Sequence, residues 1–307
     1  MTERLAEINA RITGIRELAA VVNAMRGIAG ARAQQARAAL TAVDSYEGAL
    51  AAAIGRAIAL RPASAADRPA RPARLGLVLF CAEQGFAGAF SEHVLAEAGD
   101  LTHAAPFLIG TRGQAIAAMR GITSAWACAL PASPDGIPRL ADEIADALYA
   151  RIAQGSIGAL DVVFSQWRPG HGVSIVRQCL FPLEPSAFLA PLAMNPPLLN
   201  LPPAQLLDEL TADYIHARLC RAALHSFAAE SEARMSLMAQ ARQQAERHLG
   251  KLMAAQRQVR QEEITAEIIE LAAGAAAADH PPPRGLAARD RQPPERFQPD
   301  RIRMKPF

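Results

Sequence analysis

Two long runs without proline, one at each end of the chain, constrain its fold more than any other feature of the sequence. The first covers residues 1–61 and the second covers residues 204–278. A helix of about 55 residues is roughly 80 Å long, which is far beyond what an ordinary globular domain uses. A helix of that length needs a partner helix along its apolar side.

Both runs carry residues suited to a helix interface at steps of three or four, the period of an amphipathic helix with one apolar seam, and in the second run the two steps alternate. In the first run the predicted seam consists of Leu5, Ile8, Ile12, Ile15, Leu18, Val22, Met25 and Ala29. In the second run it consists of Leu210, Tyr214, Ala217, Arg221, Leu224, Ala228, Ser231, Met235, Met238, Arg242, Ala245, Leu249, Leu252, Gln256 and Val259. Small and polar members predict close but moderate packing. The sequence therefore predicts coiled-coil helices over 1–60 and 204–278.

The segment between the helices has the pattern of an α/β domain over residues 75–195, after a proline and arginine linker at 61–74. Short apolar runs predict strands at 75–80, 106–110 and 159–167, and helical patterns at 91–98, 114–120 and 140–153 separate them. This alternation predicts a Rossmann-like domain with a mainly parallel sheet. The stretch GVSIVRQCLFPL adds a strand at the sheet edge.

Composition and charge exclude several classes of protein. A net charge of +2 with 5% aromatic residues gives no basic, aromatic surface for nucleic acid. The four cysteines lie about 40 to 50 residues apart, so we expect buried free thiols. The N-terminus is charged from its third residue and no stretch reaches the roughly 20 apolar residues of a membrane span. We therefore expect a cytoplasmic protein, with a disordered, proline-rich tail at 279–307.

The stretch CAEQGFAGAF follows the first predicted strand and invites a nucleotide-binding interpretation. It lacks the phosphate-loop and dinucleotide patterns, so Gly85 and Gly88 are better explained by a tight structural turn and close packing of helix on sheet. The seven histidines show no metal-ligand or triad spacing. We expect no cofactor, no metal and no catalysis by this chain alone.

Both terminal helices carry motifs of a known family. The stretch INARITGIRELAAVVNAMRGIAGARAQQAR resembles the N-terminal signature of the gamma subunit of F-type ATP synthases, the central rotor shaft. ESEARMSLMAQARQQA and RQEEITAEIIELAAGAAA resemble two segments near the end of the same family. The central matches are looser, with EQGFAGAF, IGTRG and CLFPL in the family's order.

Two features depart from the family pattern. Glu83 and Gln84 stand where the family usually has aspartate and arginine, and the tail beyond about Ala278 extends past the usual end. The sequence leaves open a housekeeping subunit or a divergent one from a second ion-translocating ATPase.

The resemblance implies an antiparallel coiled coil that enters a ring of alternating alpha and beta subunits, with the α/β domain near the membrane rotor. It implies a non-catalytic subunit whose partners are the alpha and beta subunits of the catalytic hexamer, the epsilon subunit and the membrane c-ring. It also implies a peripheral position at the cytoplasmic face of the bacterial inner membrane.

The resemblance also assigns partner contacts to individual residues. Arg260 and Gln261 would hydrogen-bond a catch loop of a beta subunit, and Thr265 and Glu267 belong to the same matching segment. Met25 and Arg26 would face that region from the other helix. The alanine-rich end, which includes Leu271 and Gly274, would form the tip of the shaft in its bearing.

Two functions of other classes remain open from the sequence. The central domain could bind a nucleotide or metabolite and make the chain a regulatory protein. Alternatively, the heptads could make it a coiled-coil scaffolding adaptor.

Overall fold

The computed structural model describes residues 2–60, 74–188 and 199–278. The predicted tail at 279–307, and the predicted linker apart from Arg74, lie outside the described residues. In chain order the elements are α1 (Thr2–Ala59), β1 (Arg74–Phe80), α2 (Phe90–Ala98), β2 (Ala104–Ile109), α3 (Thr111–Met119), β3 (Trp126–Cys128), α4 (Ile137–Ala153), β4 (Ile157–Arg168), β5 (Gly172–Phe181) and α5 (Pro203–Ala278), with short 3-10 turns at Pro134–Gly136 and Pro185–Phe188.

The central sheet has five strands in the order β3-β2-β1-β4-β5. The pairings of β1 with β2, β1 with β4 and β2 with β3 are parallel, whereas β5 runs antiparallel to β4. This is a doubly wound order, and it confirms the predicted Rossmann-like, mainly parallel sheet with an added edge strand. The sequence analysis missed β3, because a three-residue strand is too short to show a period.

Two hydrophobic clusters cover the two faces of the sheet. On one face, Phe80, Phe107 and Phe164 are buried against residues of α1, α4 and α5. On the other face, Leu79 and Val163 pack with residues of α2 and α3. Burying both faces explains why the central strands have near-continuous apolar sequences.

Residues 10–253 form one compact unit, and within it the buried residues of α1 follow the predicted seam with one correction. Ile12, Val22 and Ala29 are buried, but Leu18 is 55% exposed. The neighbouring Ala19 is half-buried and holds the seam position instead. A step of four from Ile15 keeps the heptad in phase, whereas the step of three to Leu18 turns the side chain about 100° away.

Polar pairs in this unit show that α1 and α5 run antiparallel. Arg242 donates a hydrogen bond to Asn23 at 3.0 Å, and Arg221 donates one to Asp44 at 2.8 Å. Partner residues therefore increase in number along α1 as they decrease in number along α5. Exposed pairs of this kind contribute little to stability and serve mainly to fix the register.

The second compact unit contains the beginning of α1, up to Asn9, and the end of α5 from Ala254. Gln256 donates a hydrogen bond to Asn9, and Arg4 lies 3.8 Å from Glu262. Val259 is buried at its predicted seam position. The two helices are thus also antiparallel in this unit.

The part of α5 between Tyr214 and Arg234 is buried on several sides. Leu219 and Phe227 pack into the cluster on one sheet face, whereas Ala229 belongs to the cluster on the other. A helix buried on more than one side needs more than a single apolar stripe, which explains why apolar residues crowd this stretch.

Candidate functional site

An open, doubly wound sheet binds its ligands at the carboxyl ends of its parallel strands, where the strand order reverses, and in this sheet the order reverses between β1 and β4. The loop of residues 83–88, between β1 and α2, lies at this edge, and Gly110 joins β2 to α3. A nucleotide or metabolite would therefore be expected here if the domain bound one.

The carboxylate of Glu83 occupies the N-terminus of α3 at this edge. It accepts hydrogen bonds from the backbone N–H of Thr111 at 2.9 Å and from the Thr111 hydroxyl at 2.8 Å. It also accepts one from the backbone N–H of Leu130 at 2.8 Å. Free N–H groups at a helix N-terminus are the groups that bind phosphate in nucleotide-binding folds. Here the chain's own carboxylate binds them.

Two glycines allow α3 to pack closely on the end of β1. A Cβ at Gly110, whose φ is +103°, would lie 2.5 Å from the carbonyl oxygen of Cys81. A Cβ at Gly113 would lie 2.0 Å from the Cβ of Cys81. The close helix packing that was predicted for the glycines of the 83–88 loop is therefore found at Gly110 and Gly113.

The predicted structural turn at Gly85 and Gly88 has a different internal geometry. Gly88 has φ of +64°, a left-handed conformation that favours glycine. The other left-handed residue is Phe86, with φ of 61°, whereas Gly85 is not left-handed and has open space around it. The carbonyl of Gly85 instead accepts a hydrogen bond from Arg234 of α5 at 3.2 Å.

The same loop is held by a buried carboxylate of α5. Glu230 accepts hydrogen bonds from the backbone N–H groups of Glu83 at 3.2 Å and Gln84 at 3.1 Å. Its remaining partner is Arg234, one turn along the helix. On the α1 side, Arg32 reaches the side chain of Gln84 at 3.4 Å. The sequence analysis missed Glu230 and Arg234, because their partners lie about 147 residues away along the chain.

The cysteine thiols in the described part of this unit are not activated as nucleophiles. Burial raises the pKa of Cys81, Cys128 and Cys220 to about 12, so these thiols stay protonated at neutral pH. Burial also lowers the pKa of His225 to about 4, and its ring stacks on Phe164. Within the described ranges, no group of three or more His, Cys, Asp and Glu side chains could hold a metal ion.

The predicted partner-contact residues of α5 are all exposed. Arg260, Gln261, Thr265, Glu267, Leu271 and Gly274 lie on the helix surface of the second compact unit. The hydroxyl of Thr265 donates to the carbonyl of Gln261 at 2.8 Å, which is a bond within the helix. The chain's own fold thus leaves these side chains accessible, and their contacts with partners remain predictions.

Large apolar side chains are also exposed among these residues, and of these only Leu271 had been predicted as a site residue. Ile264, Ile268 and Ile269 are half exposed or more, and Leu271 is 74% exposed. The sequence could have indicated their exposure, because they do not fall on the predicted seam and their segment also contains Glu267 and Glu270. A cluster of apolar residues on a solvent-facing helix surface indicates a surface that binds a partner.

Met25 and Arg26 belong to the other compact unit, where both are half-buried. Met25 lines a small cavity together with Ile28, Arg32 and Gln84. Arg26 occupies a seam position of α1, between Val22 and Ala29. Their predicted partner contacts are untested.

These features define a class of protein: antiparallel long helices with a doubly wound α/β domain inserted between them, in which a glutamate of the chain binds the N-terminus of α3. A sequence model described as ATP synthase matches residues 4–278. The ATP synthase gamma chain of Acidothermus cellulolyticus is 30% identical over 293 residues, covering 86% of this chain and 94% of the relative. That of Chlorobaculum tepidum is 25% identical, covering 88% and 97%. The chain belongs to the family of ATP synthase gamma chains.

Solved structures agree on the fold. A chain of the Euglena gracilis mitochondrial ATP synthase, from a structure of its OSCP, F1 and c-ring, has a TM-score of 0.58 and 11% identity, covering 94% of this chain and 99% of that one. A chain of the rotor of the same enzyme has a TM-score of 0.57 and 10% identity, covering 86% and 100%. The family match favours neither the nucleotide-binding regulator nor the scaffolding adaptor.

Proposed function

We propose that this chain is the rotating central shaft of an F-type ATP synthase. Its antiparallel helices turn inside a hexamer of alpha and beta subunits, while its α/β domain contacts the epsilon subunit and the membrane c-ring. The proposal rests on membership of the gamma-chain family over residues 4–278. Catalysis takes place on partner subunits, and this chain supplies the asymmetry that makes the catalytic sites differ.

The exposed end of α5 is the structural observation that carries this proposal. Ile264, Ile268 and Leu271 are exposed beside the polar side chains of Arg260 and Gln261. A partner that encloses the helix would remove the apolar side chains from water, at roughly 25 cal/mol for each Å² buried. A few polar contacts that form and break would then mark successive rotational positions without holding one of them tightly.

The proposed position of the chain in the cell follows from its assembly with the ATP synthase subunits. Among the described residues, no helix is long and apolar enough to cross a membrane. We propose that the chain is held at the cytoplasmic face of a bacterial inner membrane through its contact with the c-ring. It takes part in ion translocation through rotation.

Co-purification from native membranes tests the proposed function. A tagged chain is expected to recover alpha and beta subunits, each in threefold excess over itself, together with epsilon and the c-ring. Membranes that lack the chain should lose coupled ion pumping. Recovery of the chain alone, or as a homodimer without ATPase subunits, would refute the assignment.

The combined substitution Arg260→Ala and Gln261→Ala should weaken coupling. We expect the ratio of ions pumped to ATP hydrolysed to fall about fivefold or more, which corresponds to a coupling free energy near the lower end of the usual range. Assembly should be unchanged, because both side chains are exposed. The ratio is measured in inverted vesicles from pumping and hydrolysis rates at equal amounts of complex.

The chain offers a matched control for this pair. Arg257 and Gln258 form the same dipeptide one turn earlier on α5, and both are exposed. Their double replacement by alanine should leave the ratio close to that of the wild type. Equal losses in the two variants would show that Arg260 and Gln261 make no special contact.

A further inference from the structure

The loop of residues 83–88 contacts three separate parts of the molecule within the unit of residues 10–253. It receives the side chains of Glu230 and Arg234 from α5 and that of Arg32 from α1. Through the Glu83 carboxylate it is bonded to the N-terminus of α3.

The Glu230–Arg234 pair is nearly inaccessible, with exposed fractions of 4% and 6%. Burying two charges costs free energy unless their hydrogen-bonding capacity is used. The loop supplies hydrogen-bond partners for both charges, because Glu230 accepts hydrogen bonds from two backbone N–H groups of the loop and Arg234 donates one to the carbonyl of Gly85. The pair is therefore oriented by the α/β domain as well as by its own helix.

The contacts continue from the loop into the domain. Glu83 presents its backbone N–H to Glu230 and its carboxylate to Thr111 and Leu130. A movement of α5 relative to the sheet would therefore break bonds at α3 and beyond β3 as well as in the loop. The bonds that the Glu83 carboxylate accepts, at 2.8 to 2.9 Å, have the short lengths of charge-assisted bonds, whereas those between Glu230 and the loop are 3.1 and 3.2 Å long.

Two other ion pairs of α5 lack this arrangement, whereas Arg218 pairs with Glu47 and also donates a hydrogen bond to Gln178 of β5 at 2.8 Å. Arg242 and Glu246 are also one turn apart, but both side chains are largely exposed and their contacts lie on the helices. Arg221 binds Asp44 and Glu47 of α1. These pairs fix helix against helix, whereas Glu230 and Arg234 fix α5 against the sheet.

We propose that Glu230, Arg234 and the 83–88 loop form a torsional brace that fixes the rotational position of the α/β domain about α5. This inference rests on the proposed function for its purpose, which is to pass torque between the helices and the domain that faces the membrane rotor. Glu230 and Arg234 are positioning residues, because they act through the loop. The apolar contacts of α5 hold the helix on the sheet, and the brace fixes its angle.

The brace is tested first in the isolated full-length chain. Spin labels at Met119→Cys on α3 and Gln240→Cys on α5, in a Cys179→Ser background, report the distance between the domain and the helix by pulsed electron resonance. Met119, Gln240 and Cys179 are exposed.

Glu230→Gln removes the charge and leaves at most one oxygen to accept hydrogen bonds from the two loop N–H groups, so we expect the distance distribution to become at least twice as wide. Glu246→Gln is the matched control and should leave the width unchanged.

The second measurement uses the assembled complex in vesicles. Glu230→Gln should lower the ratio of ions pumped to ATP hydrolysed at least twofold, whereas Glu246→Gln should not. Arg234→Lys keeps the charge near Glu230 but loses the bond to Gly85, and it should give an intermediate loss. This series keeps the test meaningful if one variant folds poorly.

The possible results distinguish the proposed brace from the proposed function of the chain as a rotating shaft. A distribution of unchanged width in both Glu230→Gln and Arg234→Lys would overturn the brace, whatever the complex does. A broader distribution with an unchanged pumping ratio would overturn its role in torque transmission. Failure of the wild-type chain to assemble with the hexamer would overturn the proposed function and would leave the width measurement as a sufficient test of the brace.

Discussion

A Gly113→Ala chain is expected to unfold at a much lower denaturant concentration than the wild type. The added methyl group would lie 2.0 Å from the Cβ of Cys81, so either α3 or the end of β1 must move. Overpacking against a buried backbone typically costs about 1 to 3 kcal/mol, and we expect about 3 kcal/mol or more here because Cys81 is itself buried. Urea unfolding of the full-length chain, followed by circular dichroism, measures the change.

Three further variants show whether the clash with Cys81 causes the loss of stability. Cys81→Gly removes both nearest atoms, and the Cα of Cys81 would then be the closest atom at 3.4 Å. The double variant Gly113→Ala with Cys81→Gly should recover more than half of the lost stability relative to Cys81→Gly alone. Gly14→Ala, which meets nothing within 4 Å inside α1, should stabilise slightly through helix propensity. A normal unfolding midpoint for Gly113→Ala would contradict the close approach.

Replacing Glu83 by alanine should have the next largest effect. Three donors, two on Thr111 and one on Leu130, would lose their acceptor. Unpaired donors cost about 1 to 3 kcal/mol each when they stay dry, and water can reach part of this half-buried site, so we expect a loss of about 2 to 4 kcal/mol. Unfolding midpoints report the loss, and hydrogen exchange at Thr111 and Leu130 should accelerate.

Glu83→Gln should give an intermediate result, since its amide keeps one oxygen acceptor. Glu97→Ala is the control, because this glutamate is exposed on α2 and surface substitutions of this kind stay within about 0.5 kcal/mol. If Glu83→Ala behaves like Glu97→Ala, the carboxylate does not hold α3.

The long helices could be predicted because their buried residues recur every three or four positions along the sequence. Heptad positions such as Val22 and Val259 lie on the seam, and their neighbours three and four residues away show it. The prediction was wrong at Leu18, which is large and apolar but exposed, because the helix geometry places Ala19 on the seam. The strands followed from their apolar runs, except for β3, which has too few residues to form a pattern.

The contacts at the sheet edge could not be predicted in the same way. Glu83 was noticed only as a departure from a family pattern, and its role depends on Thr111, which the fold brings close from 28 residues away. Glu230 looked like one more acidic residue of a helix, although it is almost fully buried. The glycine that α3 requires was Gly113, which the sequence analysis quoted only as the end of the family-like stretch IGTRG, with no packing role. Such contacts follow from the topology of the sheet.

The carboxylate of Glu83 at the head of α3 has a consequence for how this domain responds to its surroundings. A domain that depends on a bound phosphate gains stability as the ligand concentration rises and loses it as the ligand is consumed. Here the anion is covalently part of the chain, so its effective concentration at the helix N-terminus is fixed by the backbone. The stiffness of this edge of the domain is therefore independent of the nucleotide and phosphate levels that a working ATP synthase changes around it.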